Sequence, residues 1–104
     1  MKINIKATNF ELTEAIKNYV EQKLEALEKL LPPNDESVMV NVEVAKENHH
    51  HQHGEEIFRA EVNLDLPNKL LRVETQAKNL NSAVVEAKKI LERQIVDYKE
   101  KFKR

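Results

Sequence analysis

Val38, Val40, Val42 and Val44 stand at every second position, and no other part of the chain restricts the fold so tightly. Successive side chains of a strand point to opposite faces, so this run is a strand with one apolar face. A strand of that kind needs neighbours beside it and a cover over its apolar face. The rest of the sequence supplies both. Ile3, Ile5 and Ala7 alternate with Lys2, Asn4 and Lys6, and Phe58, Ala60, Val62, Leu64 and Leu66 form a third alternating run. Leu71, Val73, Thr75 and Ala77 follow after Pro67-Asn68, a pair suited to a tight turn. Residues 46–56 are polar and hold the single Gly, as expected of a loop or hairpin tip.

Two segments carry the helical period instead. Ile16, Val20, Leu24, Leu27 and Leu31 recur at helical spacing behind Thr13, with Tyr19 and Leu30 widening the stripe. Thr13 is placed to cap this helix, and Pro32-Pro33 to stop it. Asn79 is an N-cap for a second helix. The seam of that helix is Leu80, Val84, Ala87, Leu91, Ile95, Tyr98 and Phe102, with Ile90 beside it.

The order is therefore β-α-β-β-β-α. Three consecutive strands with short links favour an antiparallel meander, and the first strand, returning through a helix, pairs parallel with a neighbour. Both helices then cover one face of a four-stranded sheet: an α+β two-layer sandwich. At 104 residues, residues 1–104 are expected to form a single domain with one modest, mainly aliphatic core.

Composition narrows the function. With no Cys, disulfides and thiolate metal sites are excluded. No apolar run approaches the roughly 20 residues of a membrane span, and residues 1–8 resemble no targeting peptide. A soluble, cytoplasmic protein without a membrane partner is the expectation. No G-x-S-x-G setting surrounds Ser37 or Ser82, no Gly-rich phosphate loop is present, and the carboxylates form no acid–base pair. The chain is thus not expected to be an enzyme, nor to take a small-molecule substrate or a cofactor.

Net charge is −1, but its distribution is uneven. Residues 10–65 carry five Lys and Arg against thirteen Asp and Glu, a net of −8, whereas residues 88–104 carry seven against three, a net of +4. Lys17 and Lys29 on the first helix, and Lys89, Arg93 and Lys103 on the second, point away from the buried stripes. Lys88 and Lys99 lie nearer the flank of the second helix. Side by side, the helices would present a basic band to phosphates, and such binding weakens with salt. Two other readings start from different residues. His49-His50-His51-Gln52-His53 could form a metal-responsive module, although all four imidazoles sit in one loop without ligands from a second element. Val85 and Val96, on the exposed side of the last helix, could serve protein binding.

Two phrases make a more specific case. Asn9-Phe10-Glu11-Leu12-Thr13-Glu14-Ala15-Ile16, and later Leu91-Glu92-Arg93-Gln94-Ile95 followed by Tyr98-Lys99-Glu100-Lys101, resemble the ribosome hibernation promoting factor family, also called ribosome-associated inhibitor or protein Y. The resemblance covers nearly the whole chain and is closest over Asn4-Ile5 to Lys29 and Leu91 to Lys101. It implies a fold similar to double-stranded-RNA-binding domains. It also implies binding to the small ribosomal subunit and its rRNA, in the channel of mRNA and of A- and P-site tRNA, keeping ribosomes inactive when growth stops. By position, it carries RNA-binding roles to Lys17, Lys23 and Lys29 of the first helix and Arg93, Lys99 and Lys101 of the second. Lys88 and Lys89 stand just upstream of the second phrase. Departures are Ala26 and Ile90 where the family has Lys, Val96-Asp97 where it has a basic pair, and Asn79-Leu80-Asn81 where it has Asp-Met-Tyr. The family's long members carry a second, dimerising domain, so a chain ending at Arg104 is expected to be a short form without one.

Overall fold

The computed structural model describes residues 1–31, 37–48 and 56–101. Its elements are β1 (Lys2–Thr8), α1 (Glu14–Glu25), a 3-10 helix (Ala26–Leu30), β2 (Met39–Asn48), β3 (Glu56–Leu66), β4 (Lys69–Ala77) and α2 (Leu80–Lys101). The expected element order holds. The strands form one sheet in the order β1-β2-β3-β4, with β1 parallel to β2 and the remaining pairs antiparallel.

Register follows from the alternating pattern. Ile5 lies opposite Val42, Val42 opposite Val62, and Val62 opposite Val73, so one apolar row crosses all four strands. A slip of one residue would turn that whole row to the other face. The helices cover it. Val20 and Leu24 from α1, and Ala83, Val84, Ala87, Leu91 and Ile95 from α2, join Val40, Val44, Ala60 and Leu64 in one buried cluster. Ala83 was absent from the expected seam, being small enough to escape a search for large apolar residues. It lets the first turn of α2 approach β4 closely, where the buried Thr75 hydroxyl donates to the Ala83 carbonyl at 2.7 Å. Phe102 lies outside the described residues.

Both caps form. Thr13 Oγ1 accepts from the Ile16 N–H at 3.2 Å, and Asn79 Oδ1 accepts from the Ser82 N–H at 2.8 Å. Each satisfies one of the free donors of a first helical turn. The Pro67-Asn68 turn has Asn68 at φ 67, a left-handed conformation that Asn tolerates. Tyr98 closes over this turn, its hydroxyl donating to the Pro67 carbonyl at 3.0 Å.

Two expectations need correction. The first helix does not run uniformly to the proline pair: it tightens to 3-10 geometry at Ala26, and Leu31 is already extended at φ −103, ψ 160. Pro32 restricts Leu31 to that region, and 3-10 turns commonly close α-helices. The tighter winding sets Leu27 and Leu30 on one row, with Leu27 fully buried. The second correction concerns residues 46–56. β2 continues to Asn48 and β3 starts at Glu56, so the strands extend well into the polar stretch. Lys46 and Glu56 there form an ion pair at 2.7 Å.

Removing Leu91, fully buried where α2 meets the sheet, is expected to be costly. Leu91→Ala should lower unfolding stability by about 2–5 kcal/mol. Asn79→Ala should lower it by about 1 kcal/mol through loss of the cap. Urea unfolding followed by circular dichroism measures both.

Candidate nucleic-acid interface

The basic residues lie on the helices as expected, but they do not form one band. On α1, Lys17 is exposed and Lys23 is half-buried. Six residues apart, they fall about 120° apart around the helix, on opposite flanks. Lys23 lays its stem back along the helix and holds its ammonium 5.6 Å from the centre of the Tyr19 ring, a cation–π contact. Burial pushes the Tyr19 hydroxyl above its ordinary pKa. Lys29 is exposed, but it belongs to the 3-10 helix rather than to α1.

On α2, Lys89 and Arg93 are exposed and one turn apart, opposite the buried seam. Lys88 and Lys99 are eleven residues apart and fall within about 20° of one another on one flank. Lys99 and Lys101, only two residues apart, fall about 160° apart. Lys101 accordingly lines a groove with Lys69, Leu70, Arg72, Gln94 and Asp97 along the β4 edge of the sheet. The opposite flank, with Lys88 and Lys99, faces the side of α1. Lys88 and Lys99 thus share one flank about 16 Å apart along the helix axis, Lys89 and Arg93 stand on the crest, and Lys101 lies on the other flank. Acidic residues are interspersed: Glu86, Glu92, Asp97 and Glu100 share α2 with these five cations, a net of +1 over Leu80–Lys101. Val96 is 42% exposed, while Val85 is half-buried and so offers less surface than expected.

The outer face of the sheet holds a polar network that a motif search does not reveal. Arg59 is its centre. Its guanidinium contacts Glu43 at 2.7 Å, Glu47 at 2.9 Å, Glu61 at 3.4 Å and Glu74 at 3.9 Å. Thr8 Oγ1 donates to the second oxygen of Glu43 at 2.8 Å. The hydrogen bond from Arg59, then that from Thr8, holds the Glu43 carboxyl below the ordinary carboxylate range, and the Arg59 guanidinium is raised in turn. The available signal was strand parity, since positions 43, 47, 59, 61 and 74 all fall on the face opposite the apolar row. This network spans β2, β3 and β4 and tethers β1 through Thr8.

Among the described residues, no group of three or more His, Cys, Asp or Glu is placed to hold a metal ion. The His49–His53 motif lies outside the described residues. No helix among them is long and apolar enough to cross a membrane.

With this geometry in hand, comparison with known proteins is decisive. The family model described as Sigma 54 modulation protein / S30EA ribosomal protein matches residues 3–103. The chain belongs to this family. It is 33% identical over 105 residues to the ribosome hibernation promotion factor of Lactococcus lactis subsp. cremoris, covering 100% of this chain and 52% of that protein. It is 30% identical over 95 residues to the factor of the same name from Deinococcus radiodurans, covering 90% and 47%. The chain therefore spans about half the length of the curated relatives it matches. The crystal structure of the Thermus thermophilus Protein Y N-terminal domain superposes with a TM-score of 0.70 at 32% identity, covering 93% of this chain and 94% of that one. A ribosomal subunit interface protein from Coxiella burnetii shares the fold, with a TM-score of 0.70 at 18% identity over 96% and 99% of the two chains.

For this S30EA family member, the Glu43–Arg59 pair sets a pH dependence. The folded-state pKa of Glu43 lies below its unfolded value. Its stabilising contribution is therefore present above the unfolded value, about 4.3, and is lost as pH falls through the folded value. Glu43→Gln should lower stability at neutral pH, and the gap to the native protein should close as the solution is acidified. Urea midpoints measured across an acid pH series give the comparison.

Proposed function

We propose that this chain is a ribosome hibernation factor domain that docks its helical layer on small-subunit rRNA. It occupies the path of mRNA and of A- and P-site tRNA and holds ribosomes inactive in the cytoplasm when growth stops. The observation that carries this reading is the family match across residues 3–103. It is joined by a Protein Y-like fold at 32% identity and by exposed cations on both helices.

The mechanism is occlusion, which requires a shaped, rigid body rather than a reacting group. The cations act as phosphate contacts, and each phosphate neutralised releases counterions. Over Glu14–Glu25, Ala26–Leu30 and Leu80–Lys101 eight cations are matched by eight carboxylates, so the helical layer cannot rely on charge alone. Shape therefore carries much of the recognition, as it does for structured RNA generally. Lys88, Lys89, Arg93 and Lys99 form the main contact set, with Lys17, Lys23 and Lys29 contributing from the first helical segment. Lys101, on the far flank of α2, contributes least.

Co-sedimentation with purified small subunits across a salt series tests this. Binding should be saturable and should weaken linearly on a log–log salt plot. Lys89→Glu combined with Arg93→Glu should weaken binding and reduce the salt slope by about 2, with the thermal melt unchanged. Lys99→Glu should weaken binding more than Lys101→Glu does. Equal affinity of the Lys89/Arg93 double variant and the native protein would remove the crest of α2 from the interface.

A further inference from the structure

β4 is an edge strand. Among the described residues, the sheet order leaves it paired on one side only, with β3. Unpaired strand edges are templates for another strand, and proteins ordinarily blunt them. Gln94 Nε2 of α2 donates to the Arg72 carbonyl at 3.4 Å, a bond available to a carbonyl on the open side of β4. In an antiparallel ladder, alternate residues direct their N–H and C=O groups to the same side. Leu70, Glu74 and Gln76 thus share the open side with Arg72. Beside this edge runs the groove of about 630 Å³ between β4 and α2, into which Lys101 projects. Leu70 on its rim is 58% exposed, and Gln94 Oε1 in its wall is buried without a hydrogen-bond partner.

We propose that the occupant of this edge is a second copy of the chain, paired β4 to β4 in antiparallel register about a two-fold axis at Val73. Charge complementarity selects both the partner and the register. With the axis at Val73, Arg72 of each copy lies opposite Glu74 of the other on the outer face, twice by symmetry. Leu70 lies opposite Gln76, and Val73 meets its own copy on the apolar face. An axis at Arg72 or at Glu74 would set like charges against each other. An axis between residues would put outward side chains opposite inward ones, which the alternation forbids. Both side chains are available, Arg72 being 63% exposed beside Glu61 and Glu74 51% exposed at 3.9 Å from Arg59. The other edge strand lacks this property: an axis at Asn4 of β1 would set Lys2 against Lys6. The pairing joins two four-stranded sheets into one of eight. It uses the flank of α2 opposite Lys88 and Lys99, so those cations stay uncovered.

Sedimentation velocity of the full chain, from micromolar to millimolar concentration, tests the proposal. The native protein should form a reversible dimer. Arg72→Glu or Glu74→Arg alone turns both cross-strand pairs repulsive and should raise the dimer dissociation constant about tenfold or more. An equimolar mixture of the two variants restores opposite charges at both pairs and should associate as a heterodimer at least as tightly as the native protein. Amide exchange read on the native chain needs no variant: protection at Leu70, Arg72, Glu74 and Gln76 should rise with concentration while that of β1 does not. A native protein that stays monomeric throughout would overturn the proposal. So would a mixture that associates no better than either variant alone.

Discussion

The apolar row that crosses all four strands is the constraint on which the rest of this structure depends. Ile5, Val42, Val62 and Val73 lie in register, and the side-chain period of two makes that register all-or-none. Once these residues face inward, the helices have only one place to go. Their stripes must cover the row, and Leu24, Leu27, Leu91 and Ile95 do so with no measurable exposure. The helical crests are then turned to solvent as a consequence of core packing.

The same register builds the opposite face. Residues one position away from the apolar row must point outward, and there Arg59 meets four carboxylates from β2, β3 and β4. The outer sheet face thus gathers carboxylates around one guanidinium, while cations and carboxylates are interspersed on the helices.

Much of the architecture was legible in the residues. Alternation marks every strand, and both caps can be read from Thr13 and Asn79 because a side-chain oxygen before an apolar run has a local job. Three features were not legible. The change to 3-10 winding at Ala26 leaves the apolar stripe unbroken, so stripe spacing alone does not report it. Ala83 went unnoticed because a small residue gives little hydrophobic signal, yet close approach to β4 requires one. The Arg59 network joins residues as far as 35 positions apart, Thr8 and Glu43, so no local pattern contains it.

For the candidate interface, the basic residues and their helical phase could be read, and the neighbour that each flank faces could not. Helical phase relates side chains to their own buried stripe, but it says nothing of which flank meets a neighbouring helix. The packing of α2 over β3 and β4 decides that: it turns Lys101 to the sheet edge and Lys88 and Lys99 toward α1. The sequence by itself determined the elements, their order, the inward parity of each strand and the family. These depend on periodicity and local hydrogen bonding, which are written within a few residues. Only the tertiary structure decided which flank of α2 faces α1, which carboxylates share Arg59 and which strands are left with an open edge. Those outcomes depend on contacts between segments distant in the chain, and such contacts exist only once the core has closed.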